Sequence, residues 1–569
     1  MAKTKKKITL LQKRLLFFLL LLGTICLSST MVRSGLVGDL GMGFWGANGH
    51  DGVWHLAVIN QVLKNFPPLN PVFAHTNLTN YHLGYDFLIA LLVKITPFSK
   101  ITLYFQIVPV VTAFLIGWLS FQVGRLWKKD FWVGFWLAFL NFFAGSFGWI
   151  VTLLRSGDLG GESLFWSMQS ASVLINPPFA FSLVFLLLGI KFILEKKKVN
   201  LKSILLLGLV FGLIINIKAY GGLVGLVALG GYSFIKFLKK EKKVFLIFLV
   251  ALLISFGLFL PLNSGASSLF EFSPLWFIHT MIESPDRFYW LKLALARYSL
   301  LAEGLGLKLI LVEIIGISIF MIGNLGARVL GLFSLGKDLF KKKILDFDFF
   351  LLFGMLAGFL PSFFFIQKGT SWNTIQFFYY FLFFSNFYFA KFLGDLSGNK
   401  KLKNKVILVL LVLLTLPTSF STLKDYFGYP PPAAIPGLEL EALSFLKEQK
   451  DGLVLTFPYD KYLKEGLETP LPLYKYETTA YVSAFSEKVT YLEDEMNLEI
   501  TNYSWRERRG QVESFFKSED NNFARGFLLN NQINYLYLLE GQDFLLPESD
   551  LGLKMIFSNK LVRIYEVLR

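Results

Sequence analysis

Residues 49–82 read GHDGVWHLAVINQVLKNFPPLNPVFAHTNLTNYH, and four of the chain's five histidines lie in them: His50, His55, His75 and His82. Asp51, a PP turn and several Asn side chains share the stretch, although strongly apolar sequence lies on either side. Imidazoles, a carboxylate and a rigid turn do not suit a lipid-facing segment, so 33–82 reads as one long loop at a membrane surface.

Around that loop, the 569 residues are 54% hydrophobic with a mean hydropathy of +0.53, above what a soluble chain of this size carries. Apolar runs of about 17–24 residues recur, each long enough for a hydrocarbon core of about 30 Å. The fold class is therefore a polytopic α-helical membrane protein. The single cysteine, Cys26, excludes a disulfide within the chain and says nothing of the redox compartment. The net charge of +16 is unevenly spread: residues 422–569 hold 16 Lys/Arg against 23 Asp/Glu, leaving 40 against 17 for the rest. Basic residues gather on the cytoplasmic side of spans, so the excess reads as topology rather than nucleic-acid binding.

MAKTKKKITLLQKR places six basic residues before the first apolar run, which puts the amino terminus inside. Leu15–Thr30 reads as a first span, a cleaved signal peptide being the alternative. The basic clusters at 124–130, 195–200, 239–243, 337–343 and 398–405 are expected in the cytoplasm. Between them the apolar runs come in pairs: 131–153 with 176–194, 201–217 with 219–238, 244–262 with 306–325, and 345–366 with 374–393; 404–421 leads out to the tail. With 101–123 the count is about 11 spans. It becomes 12 if 83–97, read here as an interfacial or re-entrant helix, also crosses. External segments are then 33–82, 155–175, 263–303, 367–373 and a tight turn at Asn216–Tyr220. Glu313 falls inside an apolar run, which keeps a proton-coupled transporter open beside the reading that it sits at the span's outer end.

Residues 1–421 form the membrane domain and 422–569 an extracytoplasmic α/β domain. In the tail, IPGLELEALSFLKEQ, SWRERRGQVESFF and NNFARGFLLNNQ read as helices. GLVLTFP, AYVSAF, INYLYLL, LKMIFS and LVRIYEVL read as strands, the last two as a hairpin turning at Ser558–Lys560.

There is no P-loop, HExxH, Rossmann glycine triplet or cysteine metal site, which removes ATP-driven transport within this chain. On a helix starting near Asp51, positions 51 and 55 share a face, so Asp51 with His55 can act in proton transfer or hold a divalent cation. The alternative is a helix-capping Asp51 over a packed His55. NLTNYH brings Tyr81 and His82 back to the membrane surface. Asp158 and Glu162 in RSGDLGGES offer further carboxylates. Lys218 in NIKAYGG stands at the external turn with Tyr220, either facing a lipid phosphate or snorkelling. QKGTSWNTIQFFYY places Lys368, Trp372, Asn373 and Gln376 at the mouth of a span. In the amphipathic 269–298 stretch, Arg287, Lys292 and Arg297 are placed to face headgroups. The triplets at Asn77 and Asn502 match sequons at chance level.

These stretches, with INPPFAFSLVFLLLGI and YVSAFSEKVTYL, resemble the GT-C superfamily of integral-membrane glycosyltransferases, which includes protein mannosyltransferases, aminoarabinose transferases and oligosaccharyltransferase catalytic subunits. The resemblance covers nearly the whole chain. It implies an inverting glycosyltransferase of the bacterial plasma membrane that takes sugar from a polyprenyl-phosphate donor to a glycan, lipid or protein acceptor of the envelope, without nucleic acid. Asp51 matches the first-loop catalytic acid and Asp158, more loosely, the second acidic loop; His55 joins them. Lys218, Arg297 and Lys368 are the cations for the lipid phosphate. His50, Tyr81, His82, Glu162, Tyr220, Trp372 and Asn373 complete the expected substrate-binding set. A divalent cation, Mg or Mn, would sit on Asp51 with His55 or Asp158. The alternative is a non-enzymatic flippase or an export or assembly partner for envelope polysaccharide.

Overall fold

Long runs of Leu, Ile, Val and Phe can bury their backbone in lipid only as helices, because no water is there to satisfy the amides. The computed structural model describes residues 8–195, 199–263, 270–304 and 306–569. Most of the lysines of the amino-terminal cluster, those at 196–198, and part of the 263–303 loop lie outside the described residues. Among the described residues eight helices are long and apolar enough to cross a membrane: Leu10–Val32, Thr102–Lys128, Pro177–Glu195, Ala219–Leu238, Lys242–Leu262, Leu307–Phe340, Asp346–Phe364 and Leu402–Phe427.

Three expected spans take other forms. The run 131–153 is two helices, Phe131–Phe143 and Gly148–Ser156, bent by 44° where Ala144–Phe147 interrupts them; taken as one span it makes a ninth. Leu201–Ile217 is apolar but only 17 residues long. Gln376–Ser397 is 22 residues long, carries Gln, Ser, Asn, Tyr, Lys and Asp, and is buried on nearly every face. A helix surrounded by protein needs no apolar surface for lipid. Gly84–Ile95, at 12 residues, is about 18 Å long, too short to cross.

The chain falls into two units. The first comprises residues 1–29, 110–261 and 267–427. It is mainly helical, with one two-stranded antiparallel sheet of Phe270–Phe272 and Phe365–Gln367, and polar side chains tie its helices together: Asn386 donates to Asn141 Oδ1 at 2.8 Å, and Asn141 donates to Ser120 Oγ at 2.7 Å. The helices Trp276–Glu283 and Leu291–Ala302 precede Leu307–Leu325 in the same unit.

The second unit comprises 30–109, 262–266 and 428–569, so the opening loop belongs with the carboxy-terminal segment. One four-stranded sheet runs Leu453–Thr456, Ile533–Leu539, Val562–Val567, Leu553–Ser558; the first pair is parallel and the others antiparallel. The other runs Val37–Gly38, Gly41–Phe44, Ala433–Ile435, Leu471–Pro472 and joins loop to tail. The three expected tail helices appear as Gly437–Glu448, Trp505–Phe516 and Asn521–Asn530. AYVSAF is not a strand: Tyr481–Ser486 is a helix, and the Glu493 carboxyl accepts from the amides of Val482 and Ser483. Those amides, which no preceding turn can satisfy, thereby gain a side-chain partner.

Candidate active site

The short turn Gly46–Gly49 delivers the chain to His50, which precedes the helix Asp51–Lys64. Asp51 lies in the first turn, where the helix dipole favours a carboxylate, and its side chain is 45% exposed. His50 Nδ1 is 2.9 Å from Asp51 Oδ1, and its Nε2 is 3.1 Å from Asp494 Oδ1. Burial on its own would lower the His50 pKa, but Asp494 and then Asp51 outweigh it and raise the pKa well above the usual value. With a carboxylate oxygen facing each ring nitrogen, the site favours the doubly protonated imidazole, which can donate to both.

Asp494 has a fully buried side chain and a left-handed backbone, φ 45° and ψ 62°. Its Oδ1 accepts from Asn497 N at 3.1 Å and its Oδ2 from Asn497 Nδ2 at 2.8 Å. Asp tolerates this region better than most residues because its short side chain bonds locally. Beside it, burial pushes the Glu493 carboxyl up to about 8, against the hydrogen bonds from Ser483, Val482 and Thr490.

His55 is turned elsewhere. Its Nδ1 is 2.7 Å from Asp86 Oδ1 and 3.2 Å from Tyr81 Oη, and the rings of Tyr81, Tyr85 and Tyr104 surround it. Asp86 is fully buried, which raises its pKa, and His55 offsets part of that rise. His82 packs on Tyr81, ring centres 4.8 Å apart. His55 therefore shares a hydrogen-bonded centre with Tyr81, and His50 shares one with Asp51.

The first unit gathers a second group. Lys218 is the single residue between the helices Leu201–Ile217 and Ala219–Leu238; it is buried, with Nζ 5.6 Å from the Tyr220 ring centre. Tyr220 donates to Gln367 Oε1 at 3.0 Å, and Asn373 donates to the same oxygen at 2.8 Å and to Tyr220 Oη at 3.0 Å. Gln376 donates to Asn373 Oδ1. Close by, Tyr380 Oη and Ser182 Oγ are 2.7 Å apart, and a Cβ on Gly221 would come within 2.4 Å of that phenol. The glycine of NIKAYGG is what admits the ring.

Asp158, Lys368 and Trp372 are exposed. Glu162 is held inside, accepting from Gln169 N, Ser172 and Thr422; burial raises its pKa against those bonds. Arg297 pairs with Glu313 at 2.9 Å and Glu283 at 3.5 Å, and His279 with Glu313 at 2.9 Å. Asp494, Asp86, Gln367 and His279 escaped the sequence reading. Asp494 stood in the acidic run Glu493–Glu495, Asp86 shortly after the histidine loop, and Gln367 next to Lys368.

Among the described residues no three His, Cys, Asp or Glu side chains converge as a metal site. Both His50 nitrogens face carboxylates and His55 faces Asp86. These residues do not fit a protein-built cage for Mg or Mn.

No protein-family model matches the sequence, and no curated protein matches it. Solved structures do. The apo oligosaccharyltransferase of Archaeoglobus fulgidus aligns with a TM-score of 0.53 at 13% identity, over 92% of this chain and 69% of that one. The same enzyme with Zn and sulfate gives 0.52 at 15% identity, over 91% and 67%. In complex with an inhibitory peptide and a dolichol-phosphate, where it is named AglB, it gives 0.51 at 14% identity, over 93% and 70%. The chain thus shares its fold with the archaeal oligosaccharyltransferase AglB.

Proposed function

We propose that this protein is a glycosyltransferase that moves a sugar from a polyprenyl-phosphate donor to a glycan, lipid or protein acceptor at the outer face of a bacterial plasma membrane. Asp51 takes the proton from the acceptor as its heteroatom bonds to the anomeric carbon. The bond from that carbon to the phosphate oxygen breaks, its electron pair leaves with the lipid phosphate, and the anomeric configuration inverts. The half-exposed carboxylate of Asp51, steadied by a charged His50, carries this reading. Within the first unit, Lys218 with Tyr220 and Asn373 is a separate group of a cation and hydrogen-bond donors, the chemistry that suits a lipid phosphate. The AglB fold, one of whose structures contains a dolichol-phosphate, supports a lipid-linked donor.

The test is transfer from a synthetic polyprenyl-phosphate sugar by purified protein. Asp51→Asn is expected to lower kcat by about 10²–10⁴ with an unchanged melting temperature. Retained transfer in Asp51→Asn overturns the role of Asp51. If Glu313→Gln stops polysaccharide export in cells while Asp51→Asn leaves it intact, the export reading replaces this one; the pairing of Glu313 with Arg297 and His279 argues for a structural Glu313.

A further inference from the structure

The second unit holds a small open cleft within its carboxy-terminal segment. Tyr459, Tyr474, Tyr481 and Tyr537 line it, together with Asp460, Glu477 and the run Glu493–Glu495. Among the described residues no Lys, Arg or His lines it.

The carboxylates are not equivalent. Asp494 is matched by His50 and Asn497, Glu495 by Arg509, and Glu493 by two amides and Thr490. Asp460 and Glu477 accept only local backbone amides, those of Tyr462 and Thr478, and neither has an ion-pair partner among the described residues. Of the basic groups that touch the lining, His50 meets Asp494, Arg509 meets Glu495 and the Tyr459 carbonyl, and Lys475 lies over the Tyr474 ring; none of them pairs with Asp460 or Glu477.

Two further groups point to a ligand. Thr479 is 95% buried and lines the cleft, yet its Oγ1 has no hydrogen-bond partner, and the buried Tyr459 Oη also lacks one. An unmatched buried hydroxyl costs about 1–3 kcal/mol, which a bound polar group removes.

We propose that this cleft is a binding site for a ligand bearing a protonated primary amine beside hydroxyl or amide groups, the amine held by Asp460 and Glu477 over tyrosine faces and its polar neighbours by Thr479 and Tyr459. Tyrosine rings add cation–π attraction for an ammonium, and uncompensated carboxylates repel phosphates and carboxylates. An amino sugar and a lysine side chain share this chemistry. The site is independent of the sugar-transfer reading, because binding is measured without donor.

The experiment is calorimetric titration of the full-length detergent-solubilised protein with glucosamine, N-acetylglucosamine and lysine amide. Glucosamine or lysine amide is expected to bind at least about tenfold more tightly than N-acetylglucosamine, and the tighter of the two identifies the source of the amine. Glu477→Gln and Asp460→Asn are each expected to weaken that binding about tenfold, as loss of one charge-assisted hydrogen bond does, with an unchanged melting temperature. Equal affinity for the two sugars, binding by neither amine, or unchanged affinity in both variants overturns the proposal. Thr479→Val, nearly isosteric, keeps the test sound if a charge variant fails to fold: it is expected to weaken binding several-fold, and undiminished affinity overturns the role of Thr479.

Discussion

An imidazole whose two nitrogens both face carboxylate oxygens, as those of His50 face Asp51 and Asp494, satisfies both only when doubly protonated. Transfer is therefore expected to fall at alkaline pH as His50 deprotonates, and Asp494→Asn is expected to move that limb to lower pH. The sign follows from the balance at the ring: burial favours the neutral form, Asp494 is the largest influence favouring the charged one, and removing it tips the ring toward neutrality. Profiles of kcat/KM against pH for wild type and variant check this; coincident limbs exclude it. Glu493 gives a separate, thermodynamic signal. Its folded pKa, about 8, lies above the ordinary 4.5, so its contribution to stability is fully present below about 4.5 and is lost as pH rises through about 8. Glu493→Gln, which mimics the protonated form, is expected to flatten that decline in melting curves recorded across the same window. At this scale the sequence showed which residue types carry chemistry, but not their partners. The spacing of 51 and 55 suggested a pair, whereas His50 found Asp494, 444 residues away, and His55 found Asp86. Nothing local encodes contacts that separate segments make only after folding.

Helices with lipid-facing surface were the easiest elements to read. Lys242–Leu262, only 22% buried in its most apolar window, must be apolar nearly all round. Gln376–Ser397 was harder, since protein surrounds it and polar side chains are allowed wherever a neighbour answers them. Asn141→Ala is expected to lower stability by about 0.6–2 kcal/mol, seen as a lower melting temperature in detergent, because Asn386 and Ser120 each lose their Asn141 partner. Alternation marked the strands Ile533–Leu539 and Val562–Val567, but a six-residue apolar run such as Tyr481–Ser486 has no period long enough to separate strand from helix. There the deciding element was a carboxyl outside the run.

For the whole molecule, charge asymmetry remains the guide to sidedness: basic clusters between the apolar runs and an acidic segment after them. With Cys26 replaced by Ser, single cysteines placed at exposed Lys240 and exposed Glu519 are expected to react oppositely with a membrane-impermeant maleimide on intact cells. The tail position labels and the loop position does not; the reverse pattern inverts the topology. Composition and periodicity made the membrane class and the α/β tail legible. They did not reveal that the opening loop belongs with the tail, because that association rests on strand pairing across most of the chain's length.

That pairing sets an order of events during synthesis. The ribosome releases Gly41–Phe44 early, yet its neighbour Ala433–Ile435 emerges only after the last apolar helix. Until then the nascent strand lacks its partner and His50 faces one carboxylate instead of two, so a chain ending near residue 427 carries Asp51 without the clamp that steadies it. If Asp51 has the proposed role in transfer, an unfinished copy is expected to be inactive until the final quarter of translation supplies Asp494.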